Sequence, residues 1–298
     1  MIRPNNLKEG DKVGILSTAR KINLTEIENG INFLVSLKLE PVIGQTIGLE
    51  DDQFAGTDYQ RQDDIQKMFN EPSIRGVWCA RGGYGTVRII DNLDFYKFLK
   101  NPKWLIGYSD VTVLHSHLHK LGIQTLHSIM PFGFENNTEE AKISFKNAIF
   151  GNKLAYTIPT SSLNRMGEGR GEVVGGNISI LYSLCGSTSA ITTDNKILFI
   201  EDLDEYLYHI DRMMINLKRN QMLKNLKGLI VGGLTKMHDN TIPFGKNAKE
   251  IILDAVKDYN YPVCFDFPAG HLPDNRTLIL GAVATFKVTT NEVLLDFE

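Results

Sequence analysis

Ser109 has the most suggestive placement for chemistry in this 298-residue chain. Residues 103–122 read KWLIGYSDVTVLHSHLHKLG, an apolar run that stops at Gly107 and gives way to a helical pattern. Ser109 therefore falls at the carboxyl edge of a strand and at a helix start. Open α/β sheets bind ligands at that edge. A helix start offers unpaired N–H groups and partial positive charge to a developing oxyanion. Ser before Asp-Val-Thr is equally a good helix cap, typically worth ~1 kcal/mol. The hydrolase elbow G-x-S-x-G is not matched, because Val111 takes the place of its second glycine.

A second segment, ARGGYGTVR (residues 80–88), also follows an apolar run. Gly82, Gly83 and Gly85 allow positive φ and close backbone approach. The segment is neither a Walker A loop nor G-x-G-x-x-G, so nucleotide binding gains no support. It reads as a tight turn or as a loop donating backbone N–H groups beside Ser109. Further on, LFIEDLDEY places Glu201, Asp202, Asp204 and Glu205 after a strand. The spacing is not that of a calcium loop, and acidic residues also favour a helix N-terminus. Glu201 directly follows the apolar run and belongs at a sheet edge. His115 and His119 share a helix face, but H-x-x-x-H without the Glu of H-E-x-x-H is weak evidence for zinc. His271 lies in FPAGHLPDNRT, a Gly/Pro loop between apolar strands, where a catalytic residue or a merely solvated one both fit.

The elements that must position these residues alternate along the first half. Strands are expected at 12–17, 39–43, 74–79 and 103–107. Helices are expected at 23–37, 59–70, 86–99 and 110–121. This alternation implies βαβ units and a mostly parallel sheet. Residues 151–170 are rich in Gly, Ser, Asn and Thr without periodicity and read as a linker. Beyond it, helices are expected near 178–185, 206–222 and 246–258. Strands are expected at 196–200, 262–265 and 277–289, with an apolar run at 226–232. The expected organisation is an N-terminal α/β domain over 1–150, the linker, and a smaller β-rich α+β domain over 171–298.

Composition excludes several classes. There are 32 basic against 35 acidic residues, a net charge of −3, where a polyanion-binding protein usually has a basic excess. No nucleic-acid partner is expected. No stretch approaches ~18 consecutive apolar residues, so no membrane partner is expected. The N-terminus has no apolar signal core and reads as unexported, hence cytoplasmic. Cys79, Cys185 and Cys264 are too few and too scattered for a disulfide framework or zinc knuckle, and read as buried thiols.

Six segments together resemble the LD-carboxypeptidases, the serine peptidase group that includes muropeptide tetrapeptidases and microcin C immunity proteins. They are FAGTDYQRQDD (54–64), ARGGYGTVRIIDNLD (80–94), IGYSDVTVLH (106–115), VVGGNISILYSLCGS (173–187), LFIEDLDEYLYHIDRMM (198–214) and PAGHLPDNRTLILG (268–281). They occur in the family's order and span nearly the whole chain. The resemblance implies a Ser–Glu–His triad made of Ser109, Glu201 and His271, in a cleft between two domains. It implies an oxyanion hole from the Asp110 N–H and the Gly82–Gly83 turn, with no metal and no cofactor. The implied substrate is a murein tetrapeptide, cleaved between an L-diamino acid and the terminal D-alanine. Arg20, Arg81, Tyr84 and Asn177 are then expected to bind it, Asn177 being a plausible helix cap as well. Arg88 is expected to be a surface residue. A homodimer is implied too. The sequence departs from the family after Glu201, where Asp204-Glu205 replaces a common Gly-Glu. Two rival functions share the scaffold. One is a microcin-immunity-type hydrolase of peptidyl-nucleotides, which needs an aromatic surface for the base. The other is a non-catalytic peptide-binding protein.

Overall fold

A computed structural model describes all residues, 1–298. Its strands are β1 (Lys12–Leu16), β2 (Glu40–Ile43), β3 (Ile74–Cys79), β4 (Trp104–Gly107), β5 (Thr125–His127), β6 (Ala155–Pro159), β7 (Gly167–Asn177), β8 (Ile197–Leu203), β9 (Gly228–Thr235), β10 (Val263–Cys264), β11 (Leu278–Leu280), β12 (Val283–Val288) and β13 (Glu292–Phe297). The helices are α1 (Glu28–Ser36), α2 (Asp58–Asn70), α3 (Tyr96–Lys100), α4 (Thr112–Lys120), α5 (Glu139–Phe150), α6 (Ile178–Ser183), α7 (Leu207–Arg219) and α8 (Ala248–Ala255).

Two sheets result. The first has the order β11-β5-β4-β3-β1-β2. Its strands β1 to β5 are parallel, as the alternating pattern requires. The central strands β3 and β4 are buried almost throughout, which is why they read as continuous apolar runs. The second sheet has the order β10-β9-β8-β7-β12-β13-β6. Its half from β7 to β10 is parallel. The other half, from β7 through β12 and β13 to β6, is antiparallel. The C-terminal part is thus β-rich, and half of it is α/β.

Three expectations change. Residues 151–170 are not an irregular linker. They contain β6, which pairs with β13, and the first residues of β7. β6 alternates exposed and buried residues, but five residues within a Gly-, Ser-, Asn- and Thr-rich stretch carry too little periodicity to read. The helix expected over 86–99 breaks into two 3₁₀ turns, Thr86–Arg88 and Ile90–Asn92, and then α3. The Gln66 side chain holds the Asp94 N–H and C=O, fixing extended chain between them. Finally, β11 leaves the C-terminal half and adds antiparallel to β5 in the first sheet. One hydrophobic core accordingly joins Trp78, Ile106 and Leu126 of the first sheet to Phe199 and Phe286 of the second.

The parallel strands decide where a site can lie. The turns after β1, β3 and β4 open at the carboxyl edge of the first sheet. Those after β7, β8 and β10 open at the carboxyl edge of the second. Both edges face one cleft, as open α/β architecture prefers.

Candidate active site

The cleft has a volume of about 460 Å³. From the first sheet, Arg20, Arg81, Gly82, Gly83, Ser109 and Asp110 reach its wall. From the second come Asn177, Asp202, Asp204, Glu205 and His271.

Ser109 is not a helix cap. It is the first residue of the 3₁₀ turn Ser109–Val111, whose cap position is Tyr108, and the following helix is capped at Val111. Its φ is +63°, an uncommon conformation for a non-glycine residue. Such strain persists where surrounding structure enforces it, often at functional sites. The enforcement is visible here, since Gly82 packs directly on the serine. A Cβ at Gly82 would lie 2.8 Å from both Cβ and Oγ of Ser109 and 3.4 Å from the Asp110 nitrogen. Glycine at 82 is what lets the loop after β3 lie against the Ser109–Asp110 peptide.

Glu201 is in β8 and fully buried. The β8–β9 register shifts between Ile200 and Asp202, so Glu201 sits at a ladder irregularity of the kind that re-aims side chains. Its Oε2 accepts from His271 Nδ1 at 2.6 Å and from the His271 N–H at 3.2 Å. Burial disfavours the imidazolium, but the Glu201 charge and hydrogen bond, aided by Asp202, outweigh it, and the His271 pKa is raised. The Tyr108 ring stands edge-on to the imidazole at 4.9 Å. Tyr108 carries no signal in the sequence beyond its place before Ser109. Burial, with the Glu201 charge, pushes its phenol up to about 12.

Asn177 does two things. Its Oδ1 accepts from the Ile180 N–H, capping α6, and its Nδ2 donates to Asp202 Oδ1 at 2.8 Å. Asp202 also accepts from the Ser179 and Leu203 N–H groups. Burial and the neighbouring Glu201 charge nevertheless push its carboxyl up to about 7. Asp204 has φ +65°, so the turn after Glu201 takes the left-handed conformation that glycine favours, with Asp in its place.

Arg20 and Arg81 converge on the opposite wall. The Arg81 guanidinium lies 4.2 Å from the Phe132 ring and donates to the Lys21 carbonyl at 3.0 Å. Burial and then the Arg20 charge lower its pKa. Tyr84 is not brought to the site. It lies on the surface with its ring 6.1 Å from Phe54, outside the residues that line the cleft. Arg88 is bound to Asp58 outside the cleft. The helix-face histidines are used elsewhere, His115 being held by Thr125 Oγ1 and the Gly107 carbonyl.

The models of the LD-carboxypeptidase N-terminal and C-terminal domains match residues 13–128 and 170–286. The chain belongs to the LD-carboxypeptidase family. It is 33% identical to a probable murein peptide carboxypeptidase of Bacillus subtilis, covering 99% of this chain and 94% of that one. It is 25% identical to the microcin C7 self-immunity protein of Escherichia coli, covering 92% and 90%. The fold matches a crystal structure of muramoyltetrapeptide carboxypeptidase from Oxalobacter formigenes with a TM-score of 0.87, at 24% identity over 96% of this chain and 98% of that chain. No helix of this family member is long and apolar enough to cross a membrane.

Proposed function

We propose that this protein is a serine LD-carboxypeptidase that releases the terminal D-alanine of murein tetrapeptides. The observation that carries the reading is the buried Glu201 held on His271 at the wall of the cleft that also contains Ser109. Ser109 Oγ attacks the carbonyl of the L-diamino acid while His271 Nε2 takes the hydroxyl proton. Glu201 holds the imidazole by Nδ1 and stabilises its charged form. The tetrahedral oxyanion is met by the Asp110 N–H and an N–H of the Gly82–Gly83 turn. His271 then gives the proton to the departing D-alanine amine, leaving an acyl-enzyme. Water, deprotonated by His271, releases the tripeptide and restores Ser109. No metal takes part. Arg20 and Arg81 bind the D-alanine carboxylate, whose charge matches theirs. The enzyme acts in the cytoplasm as a homodimer.

Purified protein incubated with L-Ala-γ-D-Glu-(L-diamino acid)-D-Ala tests this by mass spectrometry. D-Alanine release that persists in EDTA and disappears in Ser109→Ala is expected. No release from the wild type overturns the reading. One observation favours a second reading, hydrolysis of a peptidyl-nucleotide. Trp78 and Trp104 are fully buried, yet Tyr206, Tyr208 and His238 are exposed together beside Glu205, a stacking surface for a base. A peptidyl-adenylate analogue in the same assay separates the two.

A further inference from the structure

The Gly85–Thr86 peptide unit is gripped at both ends by buried charges. Its carbonyl accepts from Arg61 Nη1 at 2.9 Å, and its N–H donates to Asp110 Oδ2 at 2.8 Å. Arg61 reaches it from α2 and is fully buried. The same Nη1 donates to the Thr18 carbonyl at 2.7 Å, and Nε donates to the Gly56 carbonyl at 3.3 Å. Nη2 is bound to Asp58. Thr18 and Thr86 are joined through their hydroxyls at 2.7 Å. Asp110 is 1% exposed, and its Oδ1 meets no partner.

Burying a guanidinium and a carboxylate costs several kcal/mol per ion, and well-packed apolar residues often serve stability as well. Such an arrangement calls for a reason other than stability. The gripped peptide closes the glycine loop whose other end, Gly82, lies on Ser109. Asp110 is the residue after Ser109, so one residue touches both parts. Its backbone lies at the serine turn, and its side chain holds the loop that packs there. Arg61 holds the same peptide from its far side, through the Gly85 carbonyl. Gly85 has φ +148°, and a Cβ there would come within 2.6 Å of Arg61 Nη1, so the grip depends on glycine at that position.

We propose that the Asp110 carboxylate and Arg61 are positioning residues that clamp the Gly82–Gly85 loop against Ser109 and so preset the oxyanion hole. This rests on the peptidase reading above for the identity of the hole. Arg61 does not line the cleft, and the Asp110 side chain is buried. The clamp acts through the geometry of backbone donors, where removal of one donor elsewhere costs about 10²–10³ in kcat.

The test uses the full-length enzyme with Asp110→Asn, Asp110→Ala, Arg61→Lys and Gly85→Ala. Thermal melts confirm folding, so that a variant that fails to fold is replaced by the others. The clamp predicts kcat falling about 10-fold or more in each folded variant, up to about 10³ in Asp110→Ala, with KM within about threefold. Affinity for a boronate or phosphonate mimic of the tetrahedral anion must fall in parallel, while affinity for the tripeptide product stays. A merely structural role lowers the melting temperature without that split. Wild-type kcat and wild-type affinity for the anion mimic in folded Asp110→Ala and Gly85→Ala overturn the proposal. A fluorophosphonate that labels Ser109 provides an arm that needs no muropeptide. If the wild type releases no D-alanine, the peptidase reading fails, and the labelling rates still decide the clamp.

Discussion

Glu201 grips His271 twice with one oxygen, accepting from the ring at 2.6 Å and from its backbone N–H at 3.2 Å. The double contact fixes both the tautomer and the position of the imidazole. In Glu201→Gln an amide oxygen can keep both bonds, but the charge that stabilises the imidazolium is gone. The expected loss in kcat is about 10³–10⁴, on the scale seen when a triad carboxylate elsewhere becomes an amide. Folding should be little changed, since a neutral amide is easier to bury than a carboxylate. Steady-state kinetics and a thermal melt check this. A wild-type rate removes Glu201 from the mechanism.

The same contact sets a pH dependence. His271 must be neutral to accept the Ser109 proton, and its pKa lies above the ordinary 6.5. The rate should therefore climb with pH through a midpoint above 6.5. In Glu201→Gln the raising charge is lost while burial remains, so the midpoint should move down, below 6.5. A kcat/KM profile from pH 5 to 9 on both enzymes measures it. An unmoved midpoint means that Glu201 does not govern the base.

Gly270 is what allows Glu201 and His271 to approach so closely. Its φ is +103°, and a Cβ there would lie 2.7 Å from both Cβ and Oε2 of Glu201. Gly270→Ala should cost on the order of 1–3 kcal/mol from backbone strain alone, and displace the carboxylate as well. Gly186→Ala is the control, because Gly186 has φ +84° with nothing within 4 Å. Both variants should melt earlier, and only Gly270→Ala should lose kcat, by about 10²-fold or more. Equal kcat in the two variants defeats the argument.

These relationships divide into what a sequence carries and what it does not. Ser109, Glu201 and His271 are legible as candidates because each follows an apolar run or sits in a Gly/Pro loop, and because the joint order of short motifs matches a family. The parallel first sheet was legible because its buried strands are continuous apolar runs. The pairing of Leu278–Leu280 with β5 was not, since register between distant segments leaves no local periodicity. Tyr84 failed for a similar reason. Sharing a glycine loop with Arg81 says nothing about which side of the turn a side chain leaves by. Arg61 was hidden because a buried arginine on a polar helix reads as an exposed one until its partners, Thr18 and Gly85, are known.

The Arg20–Arg81 wall offers a test of substrate polarity. Two cations sharing a wall repel, and the Arg81 pKa is lowered by burial and by Arg20. An anion between them relieves that cost, and a terminal carboxylate has the right charge and two oxygens. Replacing either arginine by alanine should raise KM for the D-alanine substrate about 10- to 100-fold, the scale of a hydrogen bond between charged groups. The D-alaninamide analogue lacks the charge and should bind weakly to the wild type and hardly worse to the variants. Arg81→Lys should restore little, because an ammonium keeps the charge without the planar fork. Equal losses on acid and amide would mean that the arginines hold up the Phe132 and Lys21 wall instead of reading the substrate's terminus.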